Sequence, residues 1–122
     1  MPTKNPSTAF LLLLPPTGET VADALDTRVR NAIRGDHRAV GILAMVLGGF
    51  LHDEARAALG PRFEQNASDV VQDFYLGLLE GRFTFPGIRG CATVWMRRVI
   101  RTLAAEVVRE MGDREPDPDR AA

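Results

Sequence analysis

The chain has 122 residues, of which 45% are hydrophobic and 25% charged, and a net charge of −1. These values describe one soluble globular domain, long enough to bury a core. The near-neutral balance excludes a protein that coats nucleic acid through a global positive field, and the single cysteine, Cys91, excludes an internal disulfide and a cysteine-based metal framework.

Residues 1–18 read as an N-terminal arm, with Pro2, Pro6, Pro15 and Pro16. Its run "AFLLLLPP" is too short to span a bilayer. It also lacks the charge and length of a secretory signal, so the expected location is the cytoplasm, with no membrane partner. Only Pro61 and Pro86 interrupt residues 19–112, and proline is expelled from helix interiors, so the intervals between them are free to be helical. Thr20 with Asp23 resembles a capping box, and Val21, Leu25, Val29 and Ile33 follow at helical spacing. Gly35 then reads as a stop and Asp36 as a new N-cap. From there "HRAVGILAMVLGGFLHDEARAAL" is a long helix with a weak or close-packing point at Gly48-Gly49. A third helix starts at a cap, Asn66 or Ser68, and runs to Gly81. A fourth runs from about Cys91 to Met111 and closes at Gly112. Residues 113–122 form an acidic, proline-containing tail. With no β-alternation of useful length, the expected fold is all-α, a compact bundle of about four helices.

On a helical wheel, Val70, Val71, Phe74, Tyr75, Leu78 and Leu79 form one broad core face of the third helix. Asp69, Gln72, Asp73 and Glu80 form the other, and Leu76 falls among them. Leu76 is either a solitary exposed leucine, which is common, or an apolar anchor in an acidic frame built for a basic partner. The fourth helix has the complementary character. Met96, Val99, Ile100, Leu103 and Val107 make its apolar stripe, and Arg97, Arg98, Arg101 and Arg109 lie on the opposite arc. Arginine forks match phosphate oxygens, although a charged arc can equally be a solvated face. Just upstream, "GRFTFPGIRGCATVW" interleaves Arg82, Phe83, Phe85, Ile88 and Arg89 ahead of Trp95. Rings that stack on unpaired bases beside guanidinium groups suit single-stranded nucleic acid. The other reading is that Phe83, Phe85 and Trp95 close one end of the core, and for Trp95 the core is the expected place.

In this order, "ASDVVQDFYLGLLEGRF", a loop and "WMRRVIRTLAAEVVRE" resemble the region-two domain of sigma-70-type transcription initiation factors, nearest to the extracytoplasmic-function group. Upstream, "AIRGDHRAV" resembles the usual opening of that domain. The likeness covers roughly Val21 to Glu110. It implies a helical bundle that docks on the clamp coiled coil of the largest subunit of core RNA polymerase. Asp69, Gln72, Asp73, Leu76 and Glu80 would carry that contact. It also implies recognition and melting of the promoter −10 element on the non-template strand. There Arg97, Arg98 and Arg101 would meet phosphates, and Arg82, Phe83, Phe85 and Arg89 would form the base-capturing loop.

The alternative is a sigma mimic or regulator that binds an anti-sigma factor or polymerase without recognising DNA. It draws on Thr102, where the family commonly has an asparagine, and on the expected lack of a second, −35-reading domain. No catalysis, cofactor or metal is expected. His37 and His52 have no ligand cluster at metal spacing, Cys91 has no evident histidine partner, and no glycine-rich phosphate loop is present.

Overall fold

The computed structural model describes residues 21–86 and 91–114. Four α-helices follow in order, α1 (Val21–Ile33), α2 (His37–Leu59), α3 (Ala67–Leu79) and α4 (Ala92–Arg114), with a 3-10 turn at Glu64–Asn66 before α3. No strand occurs among the described residues, and the fold is an all-α bundle. The expected Thr20 cap, Ile88, Arg89, the N-terminal arm and residues 115–122 lie outside the described residues.

The α1–α2 corner is built by three residues, Arg34, Gly35 and Asp36. Gly35 takes φ +93°, a left-handed conformation that favours glycine. Its N–H donates to the Ala32 carbonyl at 2.9 Å, and the Asp36 N–H donates to the Asn31 carbonyl at 3.0 Å. That pair of bonds is a Schellman closure, which satisfies the last carbonyls of α1. Asp36 then opens α2, its Oδ1 accepting from the Arg38 and Ala39 N–H groups at 3.0 and 3.3 Å. One residue thus ends one helix and starts the next, so α1 must fold back along α2.

α2 is the central element and packs against α1, α3 and α4. Its Leu43, Leu51 and Ala55 are wholly buried with Val29 and Ala32 of α1, Phe74 and Leu78 of α3, and Met96, Ile100 and Ala104 of α4. Each fully buried large aliphatic side chain stabilises the fold by about 1.5–3 kcal/mol before conformational entropy is set against it. The Gly48-Gly49 pair does not break the helix. A Cβ at Gly48 would lie 3.8 Å from the Tyr75 hydroxyl, whereas Gly49 faces open space. α2 ends where expected, with Gly60 at φ +80° and its N–H on the Arg56 carbonyl, and Pro61 prevents continuation.

Two helix ends differ from the sequence expectation. Asn66 occupies the cap position of α3, but its side chain caps nothing. The Phe63–Asn66 segment winds directly into the helix as a 3-10 turn, with Phe63 buried as its anchor. At the other end, α4 continues through Gly112 to Arg114. Gly112 does not take the positive φ that ends α1, α2 and α3 at glycine, so it extends the helix.

Among the described residues one polar side chain, that of Asp26, is buried with the core. Asp26 is 2% exposed, and its Oδ1 accepts the N–H of Ala92, the first residue of α4, at 3.1 Å. A carboxylate from α1 therefore caps a helix that begins 66 residues later. It satisfies an orphan N–H and complements the positive end of the helix dipole. Asp26→Ala is expected to lower unfolding stability by about 1–3 kcal/mol, because the Ala92 N–H stays buried without its acceptor. Urea unfolding followed by circular dichroism measures the loss, and an unchanged midpoint would mean that water or another group replaces the cap. No helix among the described residues is long and apolar enough to cross a membrane.

Candidate functional site

α3 divides as its wheel predicts. Val70, Val71, Phe74 and Leu78 are buried, while Asp69, Gln72 and Glu80 are exposed and Asp73 is half-buried. Leu76 is 47% exposed among them, one of three large apolar side chains so exposed among the described residues, with Met45 and Val94.

What the sequence does not show is where Arg82 goes. α3 closes with a second Schellman pair: the Gly81 N–H on the Leu78 carbonyl at 3.2 Å and the Arg82 N–H on the Gly77 carbonyl at 2.9 Å. Gly81 supplies the required positive φ, +68°. The reversal returns the Arg82 guanidinium to the acidic face. There Nη2 donates to Asp73 Oδ1 at 2.9 Å and to the Asp73 carbonyl at 3.1 Å, and Nε lies 3.3 Å from Glu80 Oε1. The Asp73 hydrogen bond leads in raising the Arg82 pKa above its ordinary value, so the cation is permanent. The pair is half-exposed and screened, and its role is to orient these side chains, with little effect on stability. Arg82, expected with the nucleic-acid residues, thus lies with the acidic ones.

The loop aromatics are also committed. Phe83 stacks on the buried Phe74 at 5.9 Å between ring centroids, and Phe85 meets Trp95 edge-on at 5.3 Å. Trp95, 9% exposed, donates from Nε1 to the Thr84 carbonyl at 3.0 Å, so the core placement expected for it holds. Phe83 and Phe85 are half-buried and each carries an arginine over its ring, Arg82 and Arg30 respectively. Arg30, Ile33, Arg34, Phe83, Thr84 and Phe85 together line a shallow concavity between α1 and the loop.

Along α4, Val94, Arg97, Arg98, Arg101, Thr102, Ala105, Glu106 and Arg109 make one continuous strip, as helical spacing requires. The arginines are not equivalent. Arg97 Nε lies 3.0 Å from Glu54 Oε1 on α2, off the hydrogen-bond direction, and its guanidinium stands 5.6 Å from the centre of the Phe50 ring. Arg101 Nη2 reaches the other Glu54 oxygen at 3.5 Å. Among the described residues no carboxylate holds Arg98 or Arg109.

Three further residues carry weight in this arrangement. Asp26 positions the start of the basic helix, and Glu54 holds two of its arginines. Gly77 lets Phe83 lie flat on α3, since a Cβ there would fall within the Phe83 ring. A glycine inside an apolar helix face signals close approach, so Gly77 was open to inference. For Asp26 and Glu54 no local signal exists, because their partners lie far along the chain. His52 Nε2 is 3.3 Å from Ser68 Oγ, a tie between α2 and α3, and His37 is exposed. Cys91 is half-buried, and among the described residues no group of histidine, cysteine and carboxylate side chains could hold a metal ion. No family model, curated protein or solved structure matches the chain.

Gly77→Ala is expected to displace Phe83 and cost about 1–3 kcal/mol through overpacking. Because Phe83 also touches Trp95, at 6.4 Å between centroids, the near-ultraviolet dichroism of the tryptophan would change with it. Retention of both the spectrum and the melting temperature would show that the ring is free to move aside.

Proposed function

We propose that this chain is a sigma region-two-like domain. It docks on core RNA polymerase through the acidic face of α3 and engages the −10 element of promoter DNA through α4 and the preceding loop. The observation that carries the reading is Leu76, exposed at the centre of Asp69, Gln72, Asp73 and Glu80. An apolar side chain framed by acids fits a partner that offers a pocket rimmed by lysine or arginine, as a basic coiled coil does. Arg82 supports it by fixing the Asp73 and Glu80 carboxylates in place beside the leucine.

The nucleic-acid half draws on the α4 strip. Arg98, Arg101 and Arg109 are exposed along one face and suit a phosphate backbone. The concavity between Arg30, Arg34 and the loop phenylalanines is of the kind that holds an unpaired base. No step of this function is catalytic for the domain; it acts by binding, in the cytoplasm where polymerase works. A second reading, a mimic or regulator that binds an anti-sigma factor or polymerase and leaves DNA alone, draws on a specific observation as well. Arg82, Arg97 and Arg101 already face carboxylates within the domain.

Leu76→Arg or Asp73→Arg is expected to abolish capture of core polymerase while leaving the helical spectrum and melting temperature near wild type, since both side chains are solvent-accessible. Wild-type recovery of polymerase in a pull-down would mean that this face does something else. Arg98→Ala combined with Arg101→Ala should weaken binding to single-stranded −10 DNA and reduce the salt slope by roughly 0.7 for each phosphate left without its arginine. Absence of DNA binding by the wild-type domain, with polymerase present, would favour the second reading.

A further inference from the structure

Glu54 carries no role in polymerase docking or base capture, yet its position is specific. It projects from α2, one turn after Phe50, with only 17% of its side chain exposed, and spans Arg97 and Arg101 with its two oxygens. The two arginines are held unequally. Arg97 is half-buried, its Nε 3.0 Å from one Glu54 oxygen and its guanidinium 5.6 Å from the centre of the Phe50 ring, whereas Arg101 is touched at 3.5 Å through one terminal nitrogen and its side chain is 62% exposed. Glu106 also lies on the strip, but among the described residues only Glu54 comes within ion-pair distance of the strip's arginines.

A half-buried carboxylate cannot swing away as an exposed one can. Its negative charge stays beside the strip whether or not a ligand is bound, and it opposes any anion that approaches Arg101. We propose that Glu54 is a built-in competitor that regulates the phosphate affinity of the α4 strip. It holds Arg101 in the free domain and yields it to a nucleic-acid backbone, while Arg97 remains fixed to α2 as a positioning residue. The free strip then presents Arg98 and Arg109 first, and Arg101 joins only for a ligand with several linked phosphates. A lone anion cannot reach both free arginines and displace Glu54 as well. The proposal rests on the α4 strip being the nucleic-acid surface.

The test titrates the full chain and its Glu54→Gln variant with a fluorescein-labelled oligothymidine over a range of salt concentrations. Glu54→Gln keeps the side-chain shape and removes the charge. It is expected to bind roughly twofold to fivefold more tightly, the equivalent of one exposed ion pair released. Its salt slope should stay near the wild-type value, because Arg101 meets the oligothymidine phosphates in both complexes. In an Arg101→Ala background the gain should vanish. Unchanged affinity in Glu54→Gln, with the wild type binding normally, would overturn the competitor role and leave the DNA surface standing. A gain that survives Arg101→Ala would overturn it too, since general charge removal would then account for the effect. Failure of both proteins to bind would overturn the competitor and the DNA surface together. A thermal melt checks the fold, and should Glu54→Gln prove unstable, Glu54→Ala serves with the same expected direction.

Discussion

The packing of the Phe83 ring on Gly77 governs how the two charged surfaces of this domain are arranged. Leaving α3, the chain has to reverse within two residues, and Gly81 and the Schellman bonds allow it to. Phe83 can then lie against the helix only because Gly77 has no side chain in the way. From that one placement follow Arg82 on the acidic face, Phe83 on Phe74, and the Thr84 carbonyl at the Trp95 indole. Trp95 is in the first turn of α4, so the end of α3 and the beginning of α4 are bound to the same aromatic cluster. Asp26 holds α4 from the other side, through its first N–H.

Each charged surface is paired with a residue of the opposite sign, Arg82 on the acidic face and Glu54 on the basic strip, and the two have different effects. Arg82 joins the acidic face at its exposed edge, where it orients Asp73 and Glu80 and remains accessible to solvent. Glu54 reaches the basic strip from beneath, half-buried, and there its charge is harder to screen. The near-zero net charge of the chain is therefore built up of local pairs as well as of opposed faces. Leu76 stands outside this scheme. An exposed leucine among charges gains nothing from the folded domain itself, and burial against a partner is what would draw stabilisation from it.

The pattern that places the helices is local and legible along the chain. Gly35, Asp36 and Gly60 act through bonds to residues within five positions of themselves, and the α3 wheel sorts its residues by local spacing alone. Where local rules competed, the outcome was not readable. Asn66 could have capped α3 with its side chain, but the buried Phe63 drew the segment into a 3-10 turn instead. Gly112 could have ended α4, yet nothing in the chain there forces the positive φ that would use it.

By itself the sequence determined four helices, their core faces, the acidic stripe around Leu76 and the arginine arc of the last helix. All of these follow from the 3.6-residue period and from caps of short range. Only the tertiary structure decided which charges meet. Arg82 belongs with Asp73 and Glu80 because a glycine reverses the chain, Glu54 belongs with Arg97 and Arg101 because α2 runs beneath α4, and Asp26 belongs with Ala92 because α1 ends up beside the start of α4. Spacing along one helix carries no information about partners on another, and those pairings arise when the helices pack.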